Sequence, residues 1–222
     1  MFEVLENNLN IKQNKSNFKL PIYDASEYPQ FPIFVSTDTR RLAISTLENL
    51  SNKKTQIIIP KKAIIEIQKI FYDNVIINYD QNNLVLSNNN IKFFTKLING
   101  SFPDYEKIIP SNLKYNFQLS KSSFIESIKL ITSLKPNIKI TFSTNNILFE
   151  SVDEDNEAKT QIDVQLNIEN NFYIAVNSKY ILDFLSTSSN ENIKIGFNES
   201  NLPFYLEDNK FITIIMPIIL EK

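Results

Sequence analysis

The chain of 222 residues contains no cysteine and no histidine. Without cysteine there is no disulfide frame, no thiolate nucleophile and no cysteine metal site, which is compatible with a reducing compartment. Without histidine the commonest general base and the commonest transition-metal ligand are both missing, so most hydrolase triads and zinc sites are excluded. Tryptophan is absent and glycine is reduced to two residues. The 25 acidic residues leave carboxylate chemistry open, but no pair of them stands in a recognisable catalytic motif. No enzymatic activity and no cofactor are expected. The start, Met-Phe-Glu-Val-Leu-Glu, lacks the basic opening and apolar core of a signal peptide. No apolar run approaches the roughly 18 residues of a membrane span, so a cytoplasmic chain with no membrane contact is expected. The formal net charge of −2 does not advertise nucleic-acid binding, and any contact with DNA needs a local basic face.

What is present is organised around residues 100–110, Gly-Ser-Phe-Pro-Asp-Tyr-Glu-Lys-Ile-Ile-Pro. Gly100 permits the positive φ of a sharp exit from a strand. Pro103 fixes its own φ and pushes Phe102 toward extended backbone. Asp104 is a turn former, and Phe102 and Tyr105 supply apolar faces that can pin a linker to a domain. The segment reads as a rigid connector between domains, with an ordinary surface loop as the alternative.

Around it the chain repeats. A β-branched run at 56–59 stops at Pro60, and an amphipathic helix follows from Lys61 to about Tyr72 with Ala63, Ile64, Ile67, Ile70 and Phe71 on one face. Strand-like runs come next at 75–79, 84–87 and 91–98. About sixty positions on, the pattern returns. A strand at 117–119 leads into a helix whose Lys121, Glu126 and Lys129 stand where Lys61, Glu66 and Lys69 stood, and whose buried stripe is Phe124, Ile128 and Ile131. Strands are expected at 138–143, 147–151 and 160–166. A third copy begins with a strand at 172–176. Asn177 is its helix cap, and its helix from Ser178 to about Ser186 buries Tyr180, Ile181, Phe184 and Leu185. Strands at 193–197, 204–207 and 211–219 complete it. Each copy reads as one helix on one antiparallel sheet. One such unit is a poor core by itself, so units should pair into an α+β arrangement of helices packed on antiparallel sheets. Residues 18–32 end in Ala-Ser-Glu-Tyr-Pro-Gln-Phe, which parallels 99–105 and marks an earlier domain exit.

Four stretches, in this order, resemble the bacterial sliding clamps, the β subunit of DNA polymerase III: Ser36-Thr-Asp-Thr-Arg-Arg-Leu-Ala43, Ile59-Pro-Lys-Lys62, the Phe-Pro-Asp-Tyr connector, and Met216-Pro217 near the end. The resemblance covers nearly the whole chain. It implies tandem β-α-β-β-β units of the DNA-clamp (processivity factor) fold and no catalysis. It also implies a ring of two chains around duplex DNA, helices facing the hole, and sequence-independent DNA contact. The implied partners are DNA polymerase III, other clamp-binding proteins and the clamp loader. They dock short apolar-ended peptides in a pocket shared by the second and third domains.

The chain departs from that pattern. Only residues 1–32 correspond to the first domain, and Phe31-Pro32 runs directly into Ile33-Phe-Val-Ser-Thr-Asp38 where the family has further elements. Residues 33–115 then form an incomplete second domain with its connector, and 116–222 a complete third domain. The ring homodimer of the family is not expected to be stable here, because its closure needs the first domain. The second reading is a remnant that binds partner peptides without encircling DNA.

The resemblance places the partner-peptide pocket at Thr37, Thr39, Arg40, Arg41 and Leu42, at Pro103, Lys107 and Ile108, and at Pro203, Ile214, Ile215, Met216, Pro217 and Ile218. Aliphatic walls, an adaptable methionine and cationic rims suit such a peptide. Thr39 stands where the family has Gly, and Ile219 where it commonly has Arg. From the residues alone, without the resemblance, 214–219 reads as a buried terminal strand in preference to a pocket wall. For DNA, the outward helix positions Lys61, Lys62, Lys69, Lys121, Lys129 and Lys179 face only Glu66, Glu126 and Asp183. That is the sign a salt-sensitive phosphate contact requires, although a solvated helix face with paired charges gives the same pattern. Asp38, lacking a second placed acid, reads as a turn or ion-pair residue, and Thr37 and Thr39 read as backbone caps.

Overall fold

The structure, a computed structural model, describes residues 33–46, 56–132, 136–152 and 158–220. Residues 1–32, read above as the closing stretch of another domain, lie outside the described residues. The chain divides into two compact units, the first holding the described residues 33–35 with Ser45–Pro103 and the second Ser36–Ile44 with Asp104–Lys222.

In the first unit, helix α1 (Lys61–Ile70) starts at Pro60, whose carbonyl accepts the amides of Ala63 and Ile64 at 2.9 and 3.2 Å. Proline suits this place because the amide it lacks has no intrahelical partner at a helix start. The helix stops before Tyr72. Phe71 turns extended (φ −110°, ψ 121°) and buries its ring, leaving Tyr72 exposed. Strands β3 (Ile76–Tyr79), β4 (Asn83–Ser87) and β5 (Lys92–Lys96) follow as an antiparallel sheet in the order β3–β4–β5. Leu84 and Leu86 face a small core with Ile67, Phe71 and Val75. The run at 56–59 is not a strand. Of its backbone, Ile58 gives one carbonyl to the Ile98 amide at 2.9 Å.

The second unit contains the other two copies, and here the structure corrects the picture of one helix on its own sheet. The second copy is β6 (Tyr115–Ser120), α2 (Lys121–Thr132), β7 (Asn137–Phe142), β8 (Asn146–Ser151) and β9 (Lys159–Asp163). The third is β10 (Phe172–Asn177), α3 (Ser178–Thr187), β11 (Asn192–Phe197), β12 (Phe204–Asp208) and β13 (Phe211–Ile215). The leading strands are exchanged. β6 pairs with β11, Phe117 opposite Ile195, while β10 pairs with β7, Ile174 opposite Ile140. One sheet runs β10–β7–β8–β9. The other runs β1–β2–β13–β12–β11–β6, taking in β1 (Ile33–Thr37) and β2 (Arg41–Thr46).

Exchange covers two sheet edges that would otherwise offer unpaired amides, and it places both helices over one core. Phe124, Ile128 and Ile131 of α2 meet Ile181, Phe184 and Leu185 of α3 in a single buried cluster. Aromatic rings bridge the sheets: Phe172 stacks on Phe197 with centroids 4.4 Å apart, and Phe142 lies 4.9 Å from Phe197. Asn177 caps α3, its Oδ1 accepting the Lys179 amide at 3.0 Å. β13 ends at Ile215, short of the expected 219, since Pro217 has no amide to continue a ladder.

With two glycines available, turns are closed by Asx side chains. The Asp38, Asp80 and Asn88 oxygens each accept the amides two and three residues ahead, at 2.7–3.1 Å. Gly196 is kept for space. A Cβ there would stand 2.7 Å from the Tyr205 ring and 2.9 Å from the Leu113 side chain. Tyr205 is itself buried and accepts from Asn116 Nδ2 at 3.3 Å. Gly196→Ala should therefore lower stability by about 1–3 kcal/mol through overpacking. Urea unfolding checks this, with a lower midpoint at unchanged slope.

Candidate functional site

The turn of the β1–β2 hairpin, Ser36–Ile44, and the segment after β13 meet in the second unit. Asp38 organises the turn, accepting the Arg40 and Arg41 amides at 3.1 and 3.0 Å. Thr37 Oγ1 donates to the Arg41 carbonyl at 2.8 Å and accepts the Thr39 amide at 3.2 Å. These are the turn and capping roles that the residue types suggest. Thr39 takes φ 73°, the left-handed region. That region is costly for a β-branched residue, and the surrounding hydrogen bonds hold it there.

Arg41 is the hub of the site. Its Nε donates to Asp38 Oδ2 at 3.0 Å, its Nη1 donates to Asp183 Oδ2 at 2.7 Å, and its guanidinium carbon sits 4.7 Å from the centre of the Tyr180 ring. Asp183 and Tyr180 stand one turn apart on α3, so the helix presents an anion and an aromatic face together. Burial works against charge at both ends, yet the ion pairs prevail. The Arg41 pKa is raised, and hydrogen bonds from Arg41 and the Arg40 amide hold the Asp38 carboxyl below the ordinary carboxylate range. Planar guanidinium geometry serves both the forked ion pair and the ring contact, which lysine cannot match.

Next to this hub the main chain is joined directly. The Met216 amide donates to the Arg40 carbonyl at 2.9 Å, and the Ile218 amide donates to the Ala175 carbonyl of β10 at 2.7 Å. Residues 216–218 are thus held between the hairpin and β10. Met216 is 38% exposed, Pro217 and Ile218 are half-buried, and Ile219 projects at 75% exposure.

The pocket residues expected from sequence divide into distinct groups. Thr37, Thr39, Arg40, Arg41, Met216, Pro217 and Ile218 present surface here. Leu42, Ile214 and Ile215 do not: they are 3%, 1% and 0% exposed and belong to the core behind it. Ile214 and Ile215 are the last two residues of β13. Lys107 and Ile108 lie in a 3-10 turn (Tyr105–Ile108) anchored by buried Tyr105, with Lys107 paired to Asp104 at 2.7 Å and Ile108 exposed. Pro203 is half-buried before β12. Pro103 is exposed and belongs to the first unit. Sequence reasoning missed Tyr180 and Asp183 as site residues. Their spacing on one helix face, three residues apart, was the available signal.

The lysines are less uniform than expected. Lys61, Lys62 and Lys129 are exposed. Lys69 pairs with Glu66 at 2.9 Å and Lys179 with Asp183 at 3.6 Å, the paired-charge pattern. Lys121 is not an outward position. It is half-buried, and its Nζ donates to the Ser188 carbonyl at 2.6 Å. Among the described residues no group of three acidic residues is placed to hold a metal ion, and no helix is long and apolar enough to cross a membrane.

A doubled β-α-β-β-β unit with exchanged leading strands, bearing a hairpin clasped to the chain end, defines a protein of the DNA-clamp class. Comparison with known proteins makes the assignment specific. The model for the DNA polymerase III beta subunit central domain matches residues 28–104, and that for its C-terminal domain matches 106–219. The Beta sliding clamp of Helicobacter pylori (strain ATCC 700392 / 26695) is 34% identical over 287 aligned positions, covering 99% of this chain and 77% of that protein. The Staphylococcus aureus (strain Mu50 / ATCC 700699) clamp is 28% identical over 200 residues, covering 84% of this chain and 53% of that one. The crystal structure of the H. pylori beta clamp bound to DNA ligase peptide superposes with a TM-score of 0.80 at 40% identity, covering 86% of this chain and 54% of that one. A Bartonella birtlesii sliding clamp shares the fold at 22% identity and TM-score 0.82. This chain belongs to the DNA polymerase III β subunit family. The H. pylori alignment spans 287 positions against 222 residues here, so that relative carries an internal segment with no counterpart in this chain.

The strained turn gives a direct test. Thr39→Gly should relieve the left-handed conformation and raise local stability by up to about 1 kcal/mol, net of the greater freedom of glycine in the unfolded chain. Hydrogen exchange at Asp38 and Arg41 should slow accordingly, while Thr39→Ala should leave most of the strain in place.

Proposed function

We propose that this chain is a non-catalytic, cytoplasmic processivity clamp of DNA replication, which recruits partner proteins through an apolar-ended peptide docked on the second unit. The observation that carries this reading is the Arg41 hub beside the main-chain bond from Met216 to Arg40. Together they fix a half-exposed methionine, Pro217 and Ile218 next to a cationic hairpin. An apolar side chain on the peptide would cover Met216 and Ile218, and its polar end would meet Arg40 and the Arg41 rim. The H. pylori relative bound to a ligase peptide supports the same chemistry. Thr37, Thr39 and Pro217 shape the surface, and Lys107, Ile108 and Pro203 are assigned to its margin, while Pro103 stays with the first unit. Leu42, Ile214 and Ile215 support it from the core.

In this reading residues 116–222 act as a complete third domain, with 33–115 as a shortened second domain and its connector. Duplex DNA is contacted without sequence preference through Lys61, Lys62, Lys69, Lys129 and Lys179, with Lys121 contributing least. DNA polymerase III, other clamp-binding proteins and the clamp loader are the partners. The internal segment missing relative to the H. pylori clamp favours a second reading, in which the chain binds partner peptides but forms no closed two-chain ring. Retention on circular DNA, lost on linearisation, separates the two.

Titration of a labelled Gln-Leu-x-Leu-Phe-type peptide with the full chain, followed by fluorescence anisotropy, tests the docking site. Saturable binding should weaken by about tenfold or more in Met216→Asp, because a carboxylate at an apolar contact must be desolvated without a partner. Equal binding by both proteins would refute the site.

A further inference from the structure

We infer that Asn99–Gly100 is a site of spontaneous covalent modification, at which the folded chain converts Asn99 to aspartate and isoaspartate. The inference is independent of the peptide-docking reading. This is the one Asn-Gly step in the sequence, since Gly196 follows Ile195. Both residues are exposed, and neither makes a hydrogen bond among the described residues. Gly100 stands at φ 152° with nothing within 4 Å of where a Cβ would lie, so that side of the residue is open. Unlike a side-chain-bearing residue, glycine offers no Cβ to obstruct ring closure on the preceding side chain.

The chemistry needs only water and hydroxide. Hydroxide removes the Gly100 amide proton, the nitrogen attacks Asn99 Cγ, and the new C–N bond closes a five-membered succinimide as ammonia leaves Cγ. Water then opens the ring. Attack at one carbonyl gives aspartate, and attack at the other gives isoaspartate, in which the main chain runs through the former side-chain methylene. The net change is amide plus water to carboxylate plus ammonium, with no redox step. Five other asparagines are held differently. Asn83 Nδ2 is tied to Asp80 and Asn190 Nδ2 to Asp208, while the Oδ1 atoms of Asn88, Asn177 and Asn198 each accept a backbone amide. Each of these is followed by a residue with a side chain.

The consequence falls on the connector. Asn99 lies between Ile98, whose amide bonds to Ile58, and Ser101, which leads through Pro103 to the buried anchor Tyr105. Modification adds a negative charge there, and the isoaspartyl form adds one backbone methylene as well. The connector is thus a segment whose length and charge change with the age of the protein.

The test is incubation of the full chain at neutral and mildly alkaline pH, with peptide mapping by mass spectrometry and labelling by an isoaspartyl-specific methyltransferase. The expected result is a gain of about one dalton confined to the peptide containing Asn99. Its rate should rise in proportion to hydroxide, should match that of the urea-unfolded chain within a few-fold, and should vanish in Asn99→Gln. A gain spread over other asparagines, persistence in Asn99→Gln, or strong slowing in the folded chain relative to the unfolded one would overturn the inference.

Discussion

The exchange of leading strands between the second and third copies is the constraint on which the rest of the second unit depends. Because β6 lies beside β11 and β10 beside β7, neither copy has a complete sheet without the other. The fully buried Phe142 and Phe197 then come from different copies and touch across the core. A core assembled this way is cooperative, since loosening one leading strand uncovers apolar surface on both sheets. The exchange also decides where β10 lies. Its outer edge receives Ile218, and so the chain end is tethered beside α3 and the hairpin.

The hairpin is joined to that platform by backbone and charge together. Extending the sheet from β13 to β2 sets the register of the Arg40 carbonyl against Met216. Arg41 then reaches α3 rather than solvent. Each of its ion pairs is partly exposed and individually worth little. Two carboxylates and an aromatic face on one planar cation fix orientation more than they add stability. What results is a surface whose apolar part, Met216 with Pro217 and Ile218, is held by main-chain bonds and whose cationic part is held by side chains.

Much of this was legible in the sequence, for identifiable reasons. Apolar residues at helical spacing located α1 and α3 to within two residues at their ends and picked out the buried stripe of α2, and Asn177 declared the α3 cap in advance. The apolar runs at 138–143 and 147–151 marked β7 and β8 to within one residue at each end. Alternation reports which face is buried, however, and not which strand lies alongside, so the exchange of β6 and β10 was invisible. The partnership of Arg41 with Asp183 spans 142 residues, beyond any local pattern. Family resemblance groups residues 214–218 as one segment, but only burial separates Ile214 and Ile215 in the core from Met216 at the surface. The apolar run at 56–59 looked like a strand because β-branched residues favour extension, but it is not one in the structure, where the Ile58 carbonyl accepts the Ile98 amide.

The central claim is that the surface joining the β1–β2 hairpin to residues 216–218 is where partner peptides dock. Mapping by nuclear magnetic resonance, with the full chain and an unlabelled apolar-ended peptide, addresses it most directly. The account predicts that the largest shifts fall on the Arg41 side-chain Nε–H, the Met216 methyl and the Ile218 amide, all following one saturation curve. Shifts confined to α1 or to the β3–β5 sheet, with those three groups unmoved at saturation, would contradict it.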